Sequence, residues 1–313
     1  CVVIVRHNLQ MTLQQKHNFL RQNFNLNEDS HLYKKFTLSD HVRTDSVSSE
    51  IIIPRVDSQM ELNSTIISLS SDPDIHSFML LNLSQIQIQL RRFKDQLPRV
   101  IPHFAMKSNS NHFVLRHLLS EKCSIEVASL SELKKIVSLC NSMQIPTPSI
   151  TFSNPALAQI VLQQIESDGL PVNYIVIDCM EHLRSISRNN PNPRGGHSAQ
   201  RNYKLLLRIQ AAQKENEDDG MNTKFGVSME NLNDVLLEAA RLGVQLDGVA
   251  FHVGGSSRTS DPFVNSLARA RHAFDLAKRI FQKDIMQVVN IGGGYPSNDE
   301  ELMRSISQDI NLA

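Results

Sequence analysis

A lysine closes one of the apolar runs of this sequence, and its amine could act as a nucleophile. Lys107 is the last residue of VIPHFAMK. At the end of a buried strand, partial desolvation keeps some of a lysine amine unprotonated, so that it can form a Schiff base with an aldehyde cofactor. A lysine at a strand end can equally be an ordinary solvated charge. Lys107 is therefore a candidate catalytic and cofactor-binding residue, with a plain surface role as the alternative.

Three consecutive glycines, Gly292, Gly293 and Gly294, end another apolar run, MQVVNIGGG. Bare backbone N–H groups, together with the N-terminus of a following helix, can hold a phosphate group. In barrels of alternating strands and helices, phosphate sites often follow the seventh and eighth strands. The alternative is a flexible turn, although a turn needs only one or two glycines. The run is thus a candidate phosphate-binding segment.

Three further side chains lie in or close to the ends of apolar runs and could contact a bound cofactor. His252 in AFHVGG could lie against a planar ring and orient it without transferring protons, or it could be a histidine of the core. Arg208 in LLLRI could bind an anionic cofactor or hold a carboxylate such as Glu132, or it could form an ion pair at a rim. Glu126 in SIEVAS could tune a nearby imine, or it could be a rim charge.

These residues need a scaffold that brings the ends of the apolar runs together. From about residue 98, short β-type runs alternate with segments whose apolar residues recur at helical spacing. Such alternation predicts a parallel sheet covered by helices. The strands are predicted in VIPHFAMK, SIEVAS, SITFSN, YIVIDC, KLLLRIQ, LDGVAFHVG and MQVVNIGGG. The helices are predicted in HFVLRHLLSEK, LSELKKIVSLC, PALAQIVLQQIES, MENLNDVLLEAARLG, FVNSLARARHAFDLAKRI and SNDEELMRSISQDINLA.

Two architectures fit such a sheet, a doubly wound open sheet and a (β/α)8 barrel. Polar or ionisable residues end nearly every run, as they would around the top face of a barrel, whereas an open sheet concentrates them at one switch point. We therefore predict a (β/α)8-type, TIM-like α/β barrel. Seven βα units can be counted, so the eighth strand is expected to be missing. Residues 61–313 form this incomplete barrel domain in the prediction, and residues 1–60 form a poorly ordered N-terminal extension.

Composition excludes several classes of function. Lys+Arg and Asp+Glu both number 32 among 313 residues, and no basic tract with interleaved aromatics could follow a phosphate backbone, so nucleic acid is not a predicted partner. The four cysteines are far apart without a CxxC pair, which predicts reduced thiols, a cytoplasmic location and no metal site. No window offers the roughly 18 apolar residues of a membrane span. The first residue is Cys rather than Met, so the sequence is expected to be a fragment.

Taken in this order, the motifs resemble the fold type III pyridoxal-phosphate (PLP) decarboxylases, most closely the eukaryotic ornithine decarboxylase branch. The resemblance runs from about residue 75 to residue 297. PRVIPHFAMKSN resembles the strand around the cofactor lysine, CSIEVASLSEL and ITFSNP resemble the next two strands, and LLLRI with KFGV resembles the fifth. DGVAFHVGG resembles the segment whose histidine stacks on the PLP ring, and NIGGGYPS resembles the glycine run that holds the PLP phosphate.

The resemblance implies an alanine-racemase-like PLP-binding barrel and a lyase activity, the decarboxylation of ornithine to putrescine in polyamine biosynthesis. It implies that Lys107 forms the Schiff base and that His252 stacks on the ring, with Glu126, Arg208 and Gly292–Gly294 as further cofactor contacts. A homodimer and an antizyme-like regulator are the implied partners. Two alternatives remain open: a non-catalytic protein like the antizyme inhibitors, which sequester a regulator, and a diaminopimelate or arginine decarboxylase.

The sequence departs from the family pattern at several positions. Gly255 stands where the family has a phosphate-binding serine in HVGSG, which predicts weaker binding of PLP. Glu126 replaces the aspartate of FDxAS, and Asn290 replaces the aspartate before IGGG. Ser108 and Leu157 replace the cysteine of AVKCN and the lysine of ANPCK.

Two segments of the family do not occur in this sequence. One is EPGRY, which supplies the eighth strand and a glutamate to the pyridine nitrogen, and the other is the C-terminal β-domain that completes the site of a partner subunit. A neutral pyridine accepts electrons poorly. The resemblance therefore implies a domain that can bind PLP but is inactive as the 313-residue chain.

Overall fold

The protein, described here as a computed structural model, consists of two compact units, Cys1–Gln89 and Leu90–Ala313. No helix of the described part of the chain is long and apolar enough to cross a membrane. The described residues are 2–7, 48–53, 63–64, 66–67, 70–71, 78–189, 201–212, 224–255 and 257–313.

Three antiparallel strands make up the described sheet of the first unit. They are β1 (Val2–His7), β2 (Ser48–Ile53) and β3 (Phe78–Asn82), in the order β2-β1-β3. Ile4 of β1 lies opposite Ile51 on one side and Leu80 on the other. Two of these strands fall within residues 1–60, where the sequence shows no sustained period. Most of that segment lies outside the described residues, so its poor order and the boundary at residue 60 stay predictions.

Seven parallel strands form the sheet of the second unit, and they follow one another in chain order from one edge to the other. Each lies within a predicted apolar run, because strands buried on both faces of a parallel sheet read as continuous apolar stretches. The predicted number, order and direction of the strands are therefore confirmed. The strands are β4 (His103–Ala105), β5 (Ser124–Val127), β6 (Ile150–Ser153), β7 (Tyr174–Ile177), β8 (Lys204–Arg208), β9 (Gly248–Ala250) and β10 (Val288–Asn290).

A helix follows each of these seven strands, and one further helix precedes β4. The sequence predicted six of these helices and missed the first and the fifth. The helices of the described residues are α1 (Leu83–Gln96), α2 (His112–Ser120), α3 (Leu130–Met143), α4 (Gln159–Ser167), α5 (Met180–Asn189), α6 (Leu232–Arg241), α7 (Asp261–Phe281) and α8 (Glu300–Leu312).

Polar side chains fix where three of these helices begin. Asn111, Ser129 and Asp299 precede α2, α3 and α8, and each accepts a hydrogen bond from a backbone N–H of the first turn, at 2.9, 3.2 and 2.9 Å. These bonds satisfy N–H groups that have no partner within the helix. The first two caps start α2 and α3 soon after the ends of β4 and β5, and they fix the chain that follows those strands.

The two faces of the sheet bury different side chains, because successive residues of a strand point to opposite faces. One face meets the helices and contributes to a large continuous core. The other face, called the inner face below, carries the alternate residues, and Val176, Leu206 and Ala250 form a separate apolar cluster there. Strand residues of the helix-facing core include Ile125, Phe152, Ile175, Leu207 and Val249.

The first and last helices of the second unit are joined, although within the described residues the edge strands β4 and β10 are not paired with each other. Arg99, between α1 and β4, donates to the backbone oxygens of Ile310 and Asn311 at 3.1 and 2.6 Å. Asn311 donates in turn from Nδ2 to the backbone oxygen of Gln96 at 2.8 Å. Seven strands do not close at the geometry of an eight-stranded barrel. The unit is therefore an open half-barrel, and the predicted α/β barrel type without an eighth strand is confirmed.

Candidate functional site

The carboxyl ends of the seven parallel strands lie at one edge of the sheet, where active sites of such barrels are built. Lys107 follows β4 in a 3₁₀ turn, Met106–Ser108, and its side chain is exposed. Met106 is only 1% exposed, and the hydroxyl of Ser108 donates to the backbone oxygen of Ala105 at 2.7 Å. Met106 thus anchors the turn to the core and the Ser108 hydroxyl closes the turn on itself, while Lys107 stays accessible.

Glu126 lies in the neighbouring strand β5, in register with Ala105 of β4, and its carboxylate is partly buried. Burial raises the pKa of Glu126, and the positive charges of Lys107 and of Arg208 act in the opposite direction. Both cations are therefore close enough to attract this carboxylate, although they follow strands that are not adjacent. Lys107, Glu126 and Arg208 thus lie at or near the carboxyl ends of their strands, where the two cations act on the Glu126 carboxylate.

Arg208 ends β8, and its guanidinium is held from two sides. Its Nη1 lies 3.6 Å from Oδ2 of Asp178, and its Cζ lies 5.2 Å from the centre of the Phe225 ring. Glu132, the carboxylate suggested from the sequence as a partner of Arg208, instead accepts from the backbone N–H of Ala128 at 2.7 Å. The carboxylate paired with Arg208 is therefore that of Asp178.

Asp178 follows β7, and sequence reasoning did not assign it a role. Its side chain is 9% exposed, and its Oδ2 has no hydrogen-bond partner among the described residues. Burial raises the pKa of Asp178 more than the nearby charge of Arg208 lowers it. The backbone N–H of Asp178 donates to Nδ1 of His182 at 3.1 Å. The sequence feature that could have pointed to Asp178 is its position as an acidic residue directly after the apolar run YIVI and directly before Cys179.

His252 leaves β9 and meets the glycine run that follows β10. The N–H of Gly293 donates to Nδ1 of His252 at 2.9 Å, and the N–H of Gly292 donates to Oδ1 of Asn290 at 2.9 Å. The imidazole is half-buried. Asn290, which replaces the aspartate of the family pattern, keeps an oxygen that accepts this bond. The predicted ring-stacking and phosphate-binding residues are thus in direct contact.

Gly255 is exposed, and a Cβ added there would meet no atom within 4 Å. A serine would therefore fit at this position without displacing anything. Ser256, the next residue, lies outside the described residues.

Polar groups also lie deeper on the inner face, on the strands next to Lys107. Nδ1 of His103 in β4 lies 3.1 Å from Oγ1 of Thr151 in β6, and the rings of His103 and Tyr174 meet edge to face with centres 6.1 Å apart. Burial lowers the pKa of His103. Sequence reasoning assigned these residues no role, because they lie at or near the amino ends of their strands rather than at the carboxyl ends.

The fold and the carboxyl edge together define the class of this protein as an α/β half-barrel with an exposed lysine, a partly buried glutamate and an arginine at the ends of its strands. Residues 83–313 match the family described as "Pyridoxal-dependent decarboxylase, pyridoxal binding domain". The chain belongs to this family, which confirms the resemblance seen in the motifs.

Individual relatives agree with this assignment. The chain is 30% identical over 223 residues to an ornithine decarboxylase of Schizosaccharomyces pombe, an alignment covering 71% of this chain and 47% of that protein. It is 27% identical over 236 residues to antizyme inhibitor 2 of Xenopus laevis, covering 75% and 48%. The chain spans about half the length of the curated relatives it matches.

Solved structures show the same fold. The ornithine decarboxylase of Entamoeba histolytica superimposes with a TM-score of 0.58 at 27% identity, covering 74% of this chain and 59% of that one. An arginine decarboxylase of Paramecium bursaria Chlorella virus, bound to agmatine, superimposes with a TM-score of 0.62 at 23% identity, covering 74% and 57%. The second likeness concerns the fold alone.

PLP is the cofactor of the family, and most of the donor set at the carboxyl edge suits it. Lys107 offers an exposed amine for the aldehyde, with the opposite charges of Glu126 and Arg208 nearby. Fewer backbone donors are left for the phosphate of PLP, because the N–H groups of Gly292 and Gly293 already donate within the protein. The residues therefore fit the aldehyde and the ring of PLP, with a reduced set of donors for its phosphate.

Proposed function

We propose that this chain is the cofactor-binding part of a PLP-dependent decarboxylase of the ornithine decarboxylase type, which converts ornithine to putrescine in polyamine biosynthesis. The observation that carries the proposal is the convergence of Lys107, Glu126 and Arg208 at the carboxyl edge of the half-barrel. Membership of the family and similarity to ornithine decarboxylases support it. A cytoplasmic homodimer is part of the proposal.

Each residue at the carboxyl edge has one task in this proposal. Lys107 would hold the cofactor through its aldehyde group, with water as the leaving group, and Glu126 and Arg208 would set the charge around the amine. The imidazole of His252 would orient the cofactor ring. When bound, PLP supplies an electron-accepting ring for the negative charge left by loss of CO2 from an amino acid.

The covalent bond to Lys107 is the part of the proposal that can be tested most directly. The full chain is mixed with PLP, reduced with borohydride to make the bond permanent, and digested for mass spectrometry. We expect the pyridoxyl group on Lys107, and loss of the imine absorbance in Lys107→Ala. Binding should be weak, because one lost ligand of a charged phosphate costs about 1.5–3 kcal/mol, which is roughly ten- to a hundred-fold in affinity.

Lys134→Ala is the matched control for this experiment. Lys134 is a surface lysine of α3 that pairs with Asp168 at 3.2 Å, with both side chains well exposed. Its removal should leave the absorbance and the labelled peptide unchanged. A label that persists in Lys107→Ala at the wild-type level would show that the lysine is wrongly assigned.

A non-catalytic protein of the antizyme-inhibitor type is the second candidate function. Gly255 in place of the phosphate-binding serine favours it, as does similarity to an antizyme inhibitor. Such a protein would sequester an antizyme-like regulator without needing the cofactor. Absence of any PLP bond at Lys107, combined with saturable binding of an antizyme, would favour this candidate over the first.

The substrate is proposed to be ornithine, with arginine and diaminopimelate as the alternatives. No acidic residue of this chain is assigned to the pyridine nitrogen, so a bound ring would remain a weak electron acceptor. The chain alone is therefore expected to release no CO2 from any of the three amino acids. Release of labelled CO2 from ornithine above the level of Lys107→Ala would contradict this expectation.

A further inference from the structure

The glycine run has a role inside the protein that its sequence does not suggest. Two of the three N–H groups that a phosphate site would use are already bonded, that of Gly293 to Nδ1 of His252 and that of Gly292 to Oδ1 of Asn290. Both donor–acceptor distances are 2.9 Å, which is the usual length for such bonds. The run therefore contacts the imidazole directly, across two different strand ends.

Close packing within the protein explains why two of the three residues are glycine, without any need for a ligand. A Cβ at Gly292 would lie 2.2 Å from the backbone oxygen of Phe251, and a Cβ at Gly294 would lie 1.9 Å from that of Gly254. Both residues also have positive φ angles, 65° and 100°, which glycine adopts most readily. The run must be glycine-rich to lie so close to the segment that leaves β9.

The bond from Gly293 determines which nitrogen of His252 carries the proton. An Nδ1 atom that accepts an N–H has to present its lone pair, so the neutral ring carries its proton on Nε2. Protonation at Nδ1 would break the bond and leave the N–H of Gly293 without its acceptor. The same bond limits rotation of the ring, because one of its nitrogens is tied to the backbone.

We propose that Gly293 is a positioning residue, whose backbone N–H holds His252 in one orientation and in the Nε2–H tautomer. His252 then orients a planar ligand at the carboxyl edge and exchanges no proton through Nδ1. The proposal rests on the proposed function only for the identity of that ligand, since the bond lies within the chain itself.

Amide hydrogen exchange of the full chain, with no cofactor added, tests the bond. The amide of Gly293 should exchange slowly in the wild type and roughly two to ten times faster in His252→Ala, because a hydrogen bond contributes about 0.5–1.5 kcal/mol. His272→Ala, which removes an exposed histidine of α7, is the matched control and should leave this rate unchanged. An unchanged rate in His252→Ala would overturn the proposal.

Long-range ¹⁵N–¹H correlation spectra of the histidines report the tautomer independently. The signal of His252, assigned by its absence in His252→Ala, should show the Nε2–H pattern. Gly293→Ala keeps the N–H and places a Cβ 3.3 Å from Cε1 of His252, so the pattern should persist, whereas Gly293→Pro should convert it to a mixture. An Nδ1–H pattern in the wild type would refute the assignment. Failure of PLP to bind would contradict the proposed function without changing either result.

Discussion

The two halves of the inner face bury side chains of different chemistry. The half formed by β4, β5 and β6 presents His103, Ser124, Glu126 and Thr151. The half formed by β7 to β10 presents an apolar cluster, in which Tyr174 and Val288 pack against Val176, Leu206 and Ala250. The charged side chains of its strand β8, Lys204 and Arg208, lie at the two ends of that strand. Both halves belong to one parallel sheet with one pattern of backbone pairing, so the difference arises from the side chains alone.

This difference separates two ways of positioning a ligand. In the polar half, burial disfavours the charged forms of the side chains. It lowers the pKa of His103 and raises the pKa of Glu126. In the other half, close packing fixes the strands from which His252 and the glycine run extend. Charge interactions would thus position the aldehyde end of a cofactor, whereas packing and backbone hydrogen bonds would position its ring and its phosphate end.

The largest expected effect comes from breaking the apolar half. Leu206 is 1% exposed in the centre of its cluster, so Leu206→Ala should lower the free energy of unfolding by about 2–5 kcal/mol, through lost burial and the cavity that remains. Leu237→Ala removes a leucine of α6 that is 49% exposed, and it should change the free energy of unfolding by less than about 0.5 kcal/mol. Urea unfolding measures both, and equal effects would show that the inner cluster is not packed as described.

Restoring a phosphate ligand above the apolar half should have the next largest effect. Gly255→Ser adds a Cβ that has no atom within 4 Å, so the fold should be unaffected. If the phosphate lies beside this residue, a charge-assisted hydrogen bond of about 1.5–3 kcal/mol should tighten PLP binding at least roughly tenfold. Pyridoxal, which lacks the phosphate, is the control ligand and should bind both proteins equally. A gain for pyridoxal as large as for PLP would place the phosphate elsewhere.

Much of the half-barrel could be predicted from sequence, because each strand of a parallel sheet reads as a short apolar run. Helix α1 could not be predicted so easily. Its stretch SQIQIQL alternates polar and apolar residues, a period typical of a strand. The helix is instead stabilised by tertiary contacts, such as the burial of Leu90 and of Leu97, which directly follows its last residue. Helix α5 was missed because few apolar residues, among them Leu183 and Ile186, define its buried side.

The features of the candidate site also divide into those that could be predicted from the sequence and those that could not. Lys107, Arg208 and His252 could be found because they stand beside the ends of strands, where the fold class places functional residues. The partner of Arg208 could not, since Asp178 and Glu132 both follow strands and only the path of the chain distinguishes them. The hydrogen bond from Gly293 to His252 joins residues 41 positions apart through a backbone atom, which no side-chain pattern reveals.

Removing the hydrogen bond between Thr151 and His103 in the polar half should have a smaller effect on stability. Thr151→Val keeps the shape of the side chain but leaves Nδ1 of His103 buried without its partner at 3.1 Å, at a cost of about 1–3 kcal/mol. A double-mutant cycle with His103→Leu isolates the interaction. The coupling should be at least about 0.5 kcal/mol, and additive effects would mean that the two side chains do not depend on each other.

The smallest effects should appear as opposite slopes of stability against pH within the polar half. Burial lowers the pKa of His103 from its ordinary 6.5, so below pH 6.5 the unfolded chain binds the proton first and the residue reduces stability as the pH falls. Burial raises the pKa of Glu126 from 4.5, so the folded chain binds the proton more tightly, and this residue reduces stability as the pH rises above 4.5.

Urea unfolding of the wild type, His103→Gln and Glu126→Gln between about pH 4.5 and 8 measures these slopes as differences, in which the titration of other groups such as His182 and Asp178 largely cancels. Relative to His103→Gln, the wild type should lose stability as the pH falls below 6.5 and change little above it. Relative to Glu126→Gln, it should lose stability as the pH rises from 4.5. Leu206→Ala, from the apolar half, removes no ionisable group, so its difference from the wild type should vary less with pH than either of these. Slopes of the same sign for His103 and Glu126, or a difference for Leu206→Ala that varies as much with pH, would remove the distinction between a half controlled by charge and a half controlled by packing.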